Sequence, residues 1–236
     1  DTAQALSKYD FLALPVVDTE GRLVGIVTVD DAIDVLTEET TEDLSIMAAV
    51  TPDEKPYFAA SAWEHARRRL LWLLALMLSA AVTGAVITRY ESAVSAVPLL
   101  VAFLPMLMDT GGNCGSQSAT LVIRGLALGE IRTRDLARVV RKELAVSVIV
   151  SGVLAAANGL RIFLQYRDGT IALVISLSLA ATVVLAKLVG CVLPIAAKRL
   201  RVDPAIMASP LITTIVDAGA VLIYFRTAAA LLHLPV

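Results

Sequence analysis

From residue 70 onward the chain is a series of long apolar runs separated by short charged clusters, whereas the residues before it mix short apolar stretches with acidic ones. Residues 70–87 carry no charge, and at about 1.5 Å per residue such a run nearly crosses a hydrocarbon layer of about 30 Å. Four more runs follow, so the pattern predicts five spans at approximately 70–88, 94–124, 141–163, 170–198 and 205–234. The third is short in apolar residues and reaches full length by snorkelling of Arg141 and Lys142. Ahead of the spans, LALPVV and LVGIVTV read as two strands joined by the turn DTEGR. Asp30 then reads as the cap of a helix through DDAIDVLTEE, with Ala32, Ile33, Val35 and Leu36 on one face. The expected fold class is therefore an all-α polytopic membrane domain with five transmembrane helices, preceded by a partial α/β fragment and a connecting helix. The domain limits expected are 1–37, 38–66 and 67–236.

Composition supports the membrane reading. Hydrophobic residues make up 57% and mean hydropathy is +0.76, above the roughly 45–50% apolar content of soluble domains. The implied partner is membrane lipid. Nothing points to nucleic acid, because the basic residues gather at the ends of apolar runs. Cys114 and Cys191 lie alone in such runs, without the spacing of a zinc site or a disulfide framework. The first residues are polar, lack Met and lead straight into a strand-like segment; the chain is expected to begin inside a longer protein.

Basic residues also set an orientation. Arg67, Arg68 and Arg69 precede the first span, and Arg132, Arg134, Arg138, Arg141 and Lys142 follow the second. Lys198, Arg199 and Arg201 follow the fourth, whereas the opposite side has only Arg89, Arg161, Arg167 and Arg226. The N-terminal part is expected in the cytoplasm and the C-terminus outside.

Three ionisable residues fall inside the runs, Asp109, Lys187 and Asp217, and such residues line a pathway or pair within the bundle because each is costly in hydrocarbon. Counted along their spans, Asp109 and Lys187 reach similar depth, which predicts a structural Asp109–Lys187 ion pair and leaves Asp217 for function. Thr110, Asn113, Gln117, Thr120 and Arg124 recur at steps of three and four and share a helical face. Ser209, Thr213 and Asp217 form a second stripe with a step of four. Two polar stripes suit the lining of a water-filled conduit. Gly111, Gly112 and Gly115 fit close helix packing, and equally an opened backbone whose carbonyls face a cavity. A carboxylate, amides and carbonyls are hard oxygen ligands, which disfavours soft transition metals. Mg²⁺, Ca²⁺, Na⁺ and K⁺ remain, and the scarcity of carboxylates suits an ion that keeps its waters, as Mg²⁺ does.

The stretch PMLMDTGGNCGSQSATLVIRGLALGEI (105–131) closely resembles the signature of the MgtE family of magnesium channels. LVGCVLP and RVDPAIMASPLITTIVD follow in the family's order, and LVGIVTVDD upstream resembles the second half of a CBS domain. The resemblance covers essentially the whole chain. It implies a homodimer with its pore at the dimer interface, five spans per subunit, and Mg²⁺ as both transported and regulatory ion. It also implies a bacterial inner membrane, and a parent protein with a further N-terminal domain and a first CBS module. By motif, Asp217 is similar to the pore aspartate that holds hydrated Mg²⁺ through its waters, and Asn113 to the pore asparagine. Position 109 corresponds to one that supplies a backbone carbonyl. Thr213 and Ser209 match further lining positions, and Thr110, Gln117 and Thr120 line the pore beside them. The resemblance makes residues 38–66 a plug and connecting region. Asp31, Asp34, Glu39, Glu42, Asp43 and Asp203 become ligands of regulatory cytoplasmic Mg²⁺, which would hold the gate shut.

Two other functions compete. A proton- or Na⁺-coupled divalent-cation transporter could use the same scaffold. An intramembrane aspartyl protease needs two aspartates sharing a proton, and Asp109-Thr110-Gly111 superficially matches the aspartic-protease triplet, although the intramembrane GxGD motif is absent.

Overall fold

A computed structural model of the chain describes residues 2–53 and 55–234, with the side chains of Gln4, Ser7 and Ser209 outside that description. The element order is α1 (Thr2–Tyr9), β1 (Ala13–Val17), β2 (Leu23–Thr28) and α2 (Val29–Met47), then α3 (Ala62–Arg89), α4 (Glu91–Ala96), α5 (Leu104–Ala127), α6 (Leu136–Tyr166), α7 (Gly169–Arg199) and α8 (Ser209–Leu232). Three 3₁₀ turns punctuate it, at Pro98–Phe103, Thr133–Asp135 and Pro204–Met207. The fold is mostly helical, with one small hairpin near its start.

That hairpin is where the two apolar stretches and the turn between them placed it. β1 and β2 pair antiparallel with Leu14 opposite Val27 and Pro15 opposite Ile26. Asp18 closes the turn by accepting from the backbone N–H groups of Glu20 and Arg22, both at 2.9 Å. The residues before β1 form a helix, α1, rather than entering the strand directly. The helix after β2 is capped two residues earlier than Asp30: Thr28 is the N-cap, and the Asp31 carboxylate accepts from its N–H and hydroxyl at 3.1 and 2.7 Å. α2 then runs unbroken to Met47, so the acidic stretch belongs to the same helix. Its end is joined to the next helix through Thr51, which donates to the Arg68 carbonyl, and through an Asp53–Arg68 ion pair.

Among the described residues four segments are long and apolar enough to cross a membrane, namely Ala62–Arg89, Thr133–Tyr166, Gly169–Arg199 and Pro204–Leu232. The expected span at 94–124 is not one helix. It is divided into α4, the turn Pro98–Phe103 and α5. Proline has no N–H for the helix ladder and clashes with the preceding turn, so Pro98 ends one element and Pro105 opens the next at a position where the missing donor is harmless. Likewise Pro204 and Pro210 split the start of the last span into a 3₁₀ turn and α8. α6 begins before its apolar run, carrying the charged residues Arg138, Arg141, Lys142 and Glu143 on its first turns.

The core lies where α5, α7 and α8 meet, around Leu107, Ile175, Val183, Ile212, Val216 and Tyr224, all at most 1% exposed. Tyr224 donates its hydroxyl to the Leu100 carbonyl at 3.0 Å, which satisfies a polar pair inside an otherwise apolar interior. α3 touches this core through α8 and leaves Leu70, Leu71, Met77, Leu78 and Val82 exposed, the surface a lipid-facing helix presents.

Candidate functional site

α5 has two chemically opposite faces. Gly111, Gly112 and Gly115 are buried, and each stands where a side chain would collide. A Cβ at Gly111 would lie 2.7 Å from a Thr182 methyl of α7 and 2.8 Å from a Val216 methyl of α8; one at Gly112 would lie 2.9 Å from the Thr213 methyl. On α7, a Cβ at Gly190 would come within 2.3 Å of the Gly115 carbonyl oxygen. The glycines therefore let α5 lie backbone-close against α7 and α8. Of the two roles expected for them, packing is the one realised: they face the bundle, and α5 is continuous through the motif instead of unwinding to offer free carbonyls. The carbonyl of Asp109 lies within that helix, whose repeat directs it to the amide four residues on; the group that position 109 turns outward is its carboxylate.

On the other face Asp109, Asn113, Gln117, Thr120 and Arg124 are exposed, and Thr110 is partly buried. The three-and-four spacing has become a polar strip along the outside of the chain's own bundle. Asp217, partly buried on α8, belongs to the same region, because Val216 and Thr213 of that helix pack against Gly111 and Gly112 of α5. One turn before Asp217, Thr213 donates its hydroxyl to the Pro210 carbonyl at 2.9 Å while its methyl covers Gly112. The hydroxyl is turned to its own helix. The side chain of Ser209 lies outside the described residues. Among the described residues no three His, Cys, Asp or Glu side chains converge on one point, so this strip holds acids and amides rather than a closed metal cage.

Lys187 does not pair with Asp109. Its ammonium lies 3.8 Å from a Glu143 carboxylate oxygen of α6 and donates to the Ser118 hydroxyl at 3.2 Å, and that hydroxyl donates on to Glu143 at 2.7 Å. Both charges are nearly sequestered, with side chains 6% and 12% exposed. The depth count went astray because it began α5's helix at residue 94. With α5 starting at Leu104, Asp109 falls in its second turn, and Ser118, the α5 neighbour of Lys187, is about 14 Å further along. Glu143 and Ser118 are thus the partners of Lys187, and the sequence alone did not point to them. The available signal was an apolar span containing one unmatched lysine, with Glu143 directly before the counted apolar stretch.

A second polar cluster gathers at the other end of the site. The last turns of α2 rest on the 3₁₀ turn Pro204–Met207, and Met47 packs against the main core. There Asp43 is held above the ordinary carboxylate range, first by burial and then by Asp203, Glu42 and Glu39, with Lys198 acting in the opposite direction. Asp203 itself accepts from the Ala205 N–H at 2.8 Å. Of the acidic residues expected at this mouth, Asp43 and Asp203 are brought together. Glu39 and Glu42 are exposed beside them, Asp34 is exposed farther up α2, and Asp31 is engaged in capping.

Comparison with known proteins follows the same residues. The family model for MgtE, described as a divalent cation transporter, matches residues 104–227, and the CBS domain model matches residues 1–38. The magnesium transporter MgtE of Thermus thermophilus is 42% identical over 235 residues, covering 99% of this chain and 52% of that protein. Those of Bacillus subtilis and Enterococcus faecalis are 37% and 34% identical, covering 51% and 50% of their own lengths. The chain spans about half the length of these curated relatives. With α5, α7 and most of α8 inside the matched region, and the hairpin with the first half of α2 inside the CBS match, this chain belongs to the MgtE family of divalent cation transporters.

Proposed function

We propose that this chain is the membrane part of a magnesium channel in a bacterial inner membrane, conducting hydrated Mg²⁺ down its electrochemical gradient between two copies of itself. The observation that carries this reading is the exposed strip Asp109, Asn113, Gln117 and Thr120 on a helix whose opposite face is sealed by glycine packing. Such a strip cannot face hydrocarbon, where unsatisfied polar groups cost several kcal/mol. A second copy related by a two-fold axis covers it with an identical strip and encloses water. In this arrangement α5, whose 24 residues measure about 36 Å, is the fifth span. Two copies of Asp217 supply two negative charges for one divalent ion, and Asn113 and the Asp109 carboxylates contact its water shell. Mg²⁺ gives up water reluctantly, so acids that act through water suit it.

The cytoplasmic end carries the gate. The N-terminal part up to about residue 37 is the end of a CBS domain, residues 38–66 are the plug and connector, and the pore domain follows. Regulatory Mg²⁺ at Asp43 and Asp203, with Glu39 and Glu42 nearby, offsets the repulsion that opposes α2 docking. The relatives' printed name supports magnesium as the cargo.

The test is Mg²⁺ flux into proteoliposomes. Asp217→Ala is expected to lower it by about tenfold or more, the effect of losing ~1.4 kcal/mol of ion stabilisation. Unchanged flux in that variant would remove Asp217 from the pore. Flux that requires a proton or Na⁺ gradient would replace the channel with a coupled transporter.

A further inference from the structure

At the C-terminal ends of α3 and α8, away from the α2 contact, a cavity of about 670 Å³ opens between the two helices. Two arginines line it, Arg89 from the last residue of α3 and Arg226 from the last turns of α8. Neither has an ion-pair partner among the described residues. The rest of the lining used here is apolar or aromatic: Val86, Leu222, Ala229 and Tyr90. Tyr90 is fixed as a wall, since its buried ring stacks on Phe225 with centroids 5.0 Å apart and planes 10° apart.

The depth of this cavity follows from helix length. Arg89 stands 20 positions after Arg69 across an uncharged stretch, a rise of about 30 Å that equals the hydrocarbon thickness. Arg226 lies nine positions beyond Asp217, about 14 Å from the level of that acid. Both guanidinium groups therefore sit at one headgroup boundary. One turn below each is an aliphatic residue of the same cavity, Val86 beneath Arg89 and Leu222 beneath Arg226. Paired cations over an apolar floor, opening toward lipid, match one kind of molecule.

We propose that this cavity binds an anionic phospholipid, its phosphate held by Arg89 and Arg226 and the top of an acyl chain lying over Val86 and Leu222. Planar guanidinium groups grip phosphate through parallel N–H donors. A free inorganic anion would use the arginines but not the apolar floor. A zwitterionic lipid would bring a second cation toward two unneutralised ones. The bound lipid joins α3 to α8, the helix that carries Asp217. This proposal depends on α3 and α8 crossing the bilayer, and not on which ion the protein conducts.

The experiment is native mass spectrometry of the whole protein in detergent, titrated separately with phosphatidylglycerol, phosphatidylcholine and inorganic phosphate. Phosphatidylglycerol is expected to be retained at about tenfold lower concentration than phosphatidylcholine, the ratio for ~1.4 kcal/mol of headgroup discrimination. The double variant Arg89→Gln, Arg226→Gln is expected to lose that preference, with its melting temperature in lipid-free detergent unchanged because neither arginine has an ion-pair partner among the described residues. Leu222→Trp, which fills the floor and keeps both charges, is expected to reduce retention as well. Equal retention of the two lipids, or retention unaffected by either variant, overturns the proposal. Displacement of phosphatidylglycerol by equimolar inorganic phosphate reassigns the cavity to a simple anion and overturns it too. Binding loss in Arg89→Gln, Arg226→Gln with a collapsed melting temperature leaves Leu222→Trp to decide between these results.

Discussion

Lys187 illustrates how a single charge in an apolar helix is accommodated. Its partner is Glu143, with the Ser118 hydroxyl between them as acceptor from one and donor to the other. Separating such a pair is far more harmful than removing it whole, because one partner alone is an uncompensated buried charge. Lys187→Met is accordingly expected to destabilise the protein by about 3 kcal/mol, read as a lowered melting temperature in detergent. Glu143→Leu combined with Lys187→Met is expected to recover most of that loss; a double variant no better than the single one would contradict the pairing. The need for a carboxylate partner was legible in the sequence. Its identity was not, since Glu143 is far from Lys187 along the chain and only helix packing brings α6 to α7 beside α5. The same holds for Asp109. Its pairing with Lys187 rested on counting residues from an assumed helix start, and Pro98 moved that start.

At the scale of elements, α5 shows which part of a pattern survives folding. The phase of its polar residues and the need of its glycines for close neighbours both follow from local spacing. Which helices fill the glycine face is decided by Thr182, Val216, Thr213 and Gly190, contributed by α7 and α8. α2 shows the same dependence in its charge. Asp43 titrates above the ordinary carboxylate value of 3.8 because α2 is docked against Asp203, with burial as the larger cause. A group whose pKa is raised in the docked state binds protons more readily there, so docking is favoured as pH falls. That support is complete below the ordinary value of 3.8 and is lost as pH rises through the raised one. Amide hydrogen exchange in α2, corrected for its intrinsic pH dependence, should therefore slow as pH is lowered from neutral. Asp43→Asn should exchange slowly already at neutral pH and respond little to acid. Exchange in α2 that is independent of pH in the unmodified protein would mean that Asp43 and Asp203 do not control docking.

For the whole molecule, the decisive feature is that one polar strip faces outward from a bundle that belongs in lipid. The proposed dimer predicts that Gln117→Cys, in a background lacking Cys114 and Cys191, forms a disulfide between copies in the membrane. Val148→Cys, on the exposed apolar side of α6, should remain monomeric under the same oxidation. Equal cross-linking at both positions would argue against an interface along α5. The N-terminal hairpin has a corresponding exposure, with Leu12, Leu23, Val24 and Ile26 all more than half exposed, and the curated relatives are about twice as long as this chain. The family resemblance places the chain among transporters, and the match over residues 104–227 agrees with it. By itself the sequence determined four of the apolar spans, the hairpin, the polar phase of DTGGNCGSQSAT and the family, because each is written in local spacing or in a contiguous motif. Tertiary structure alone decided that the glycines are for packing, that α5 and α8 meet there, and that Lys187 joins Glu143. Those outcomes depend on which helices approach each other and at what depth, and no periodicity along one helix encodes its neighbours.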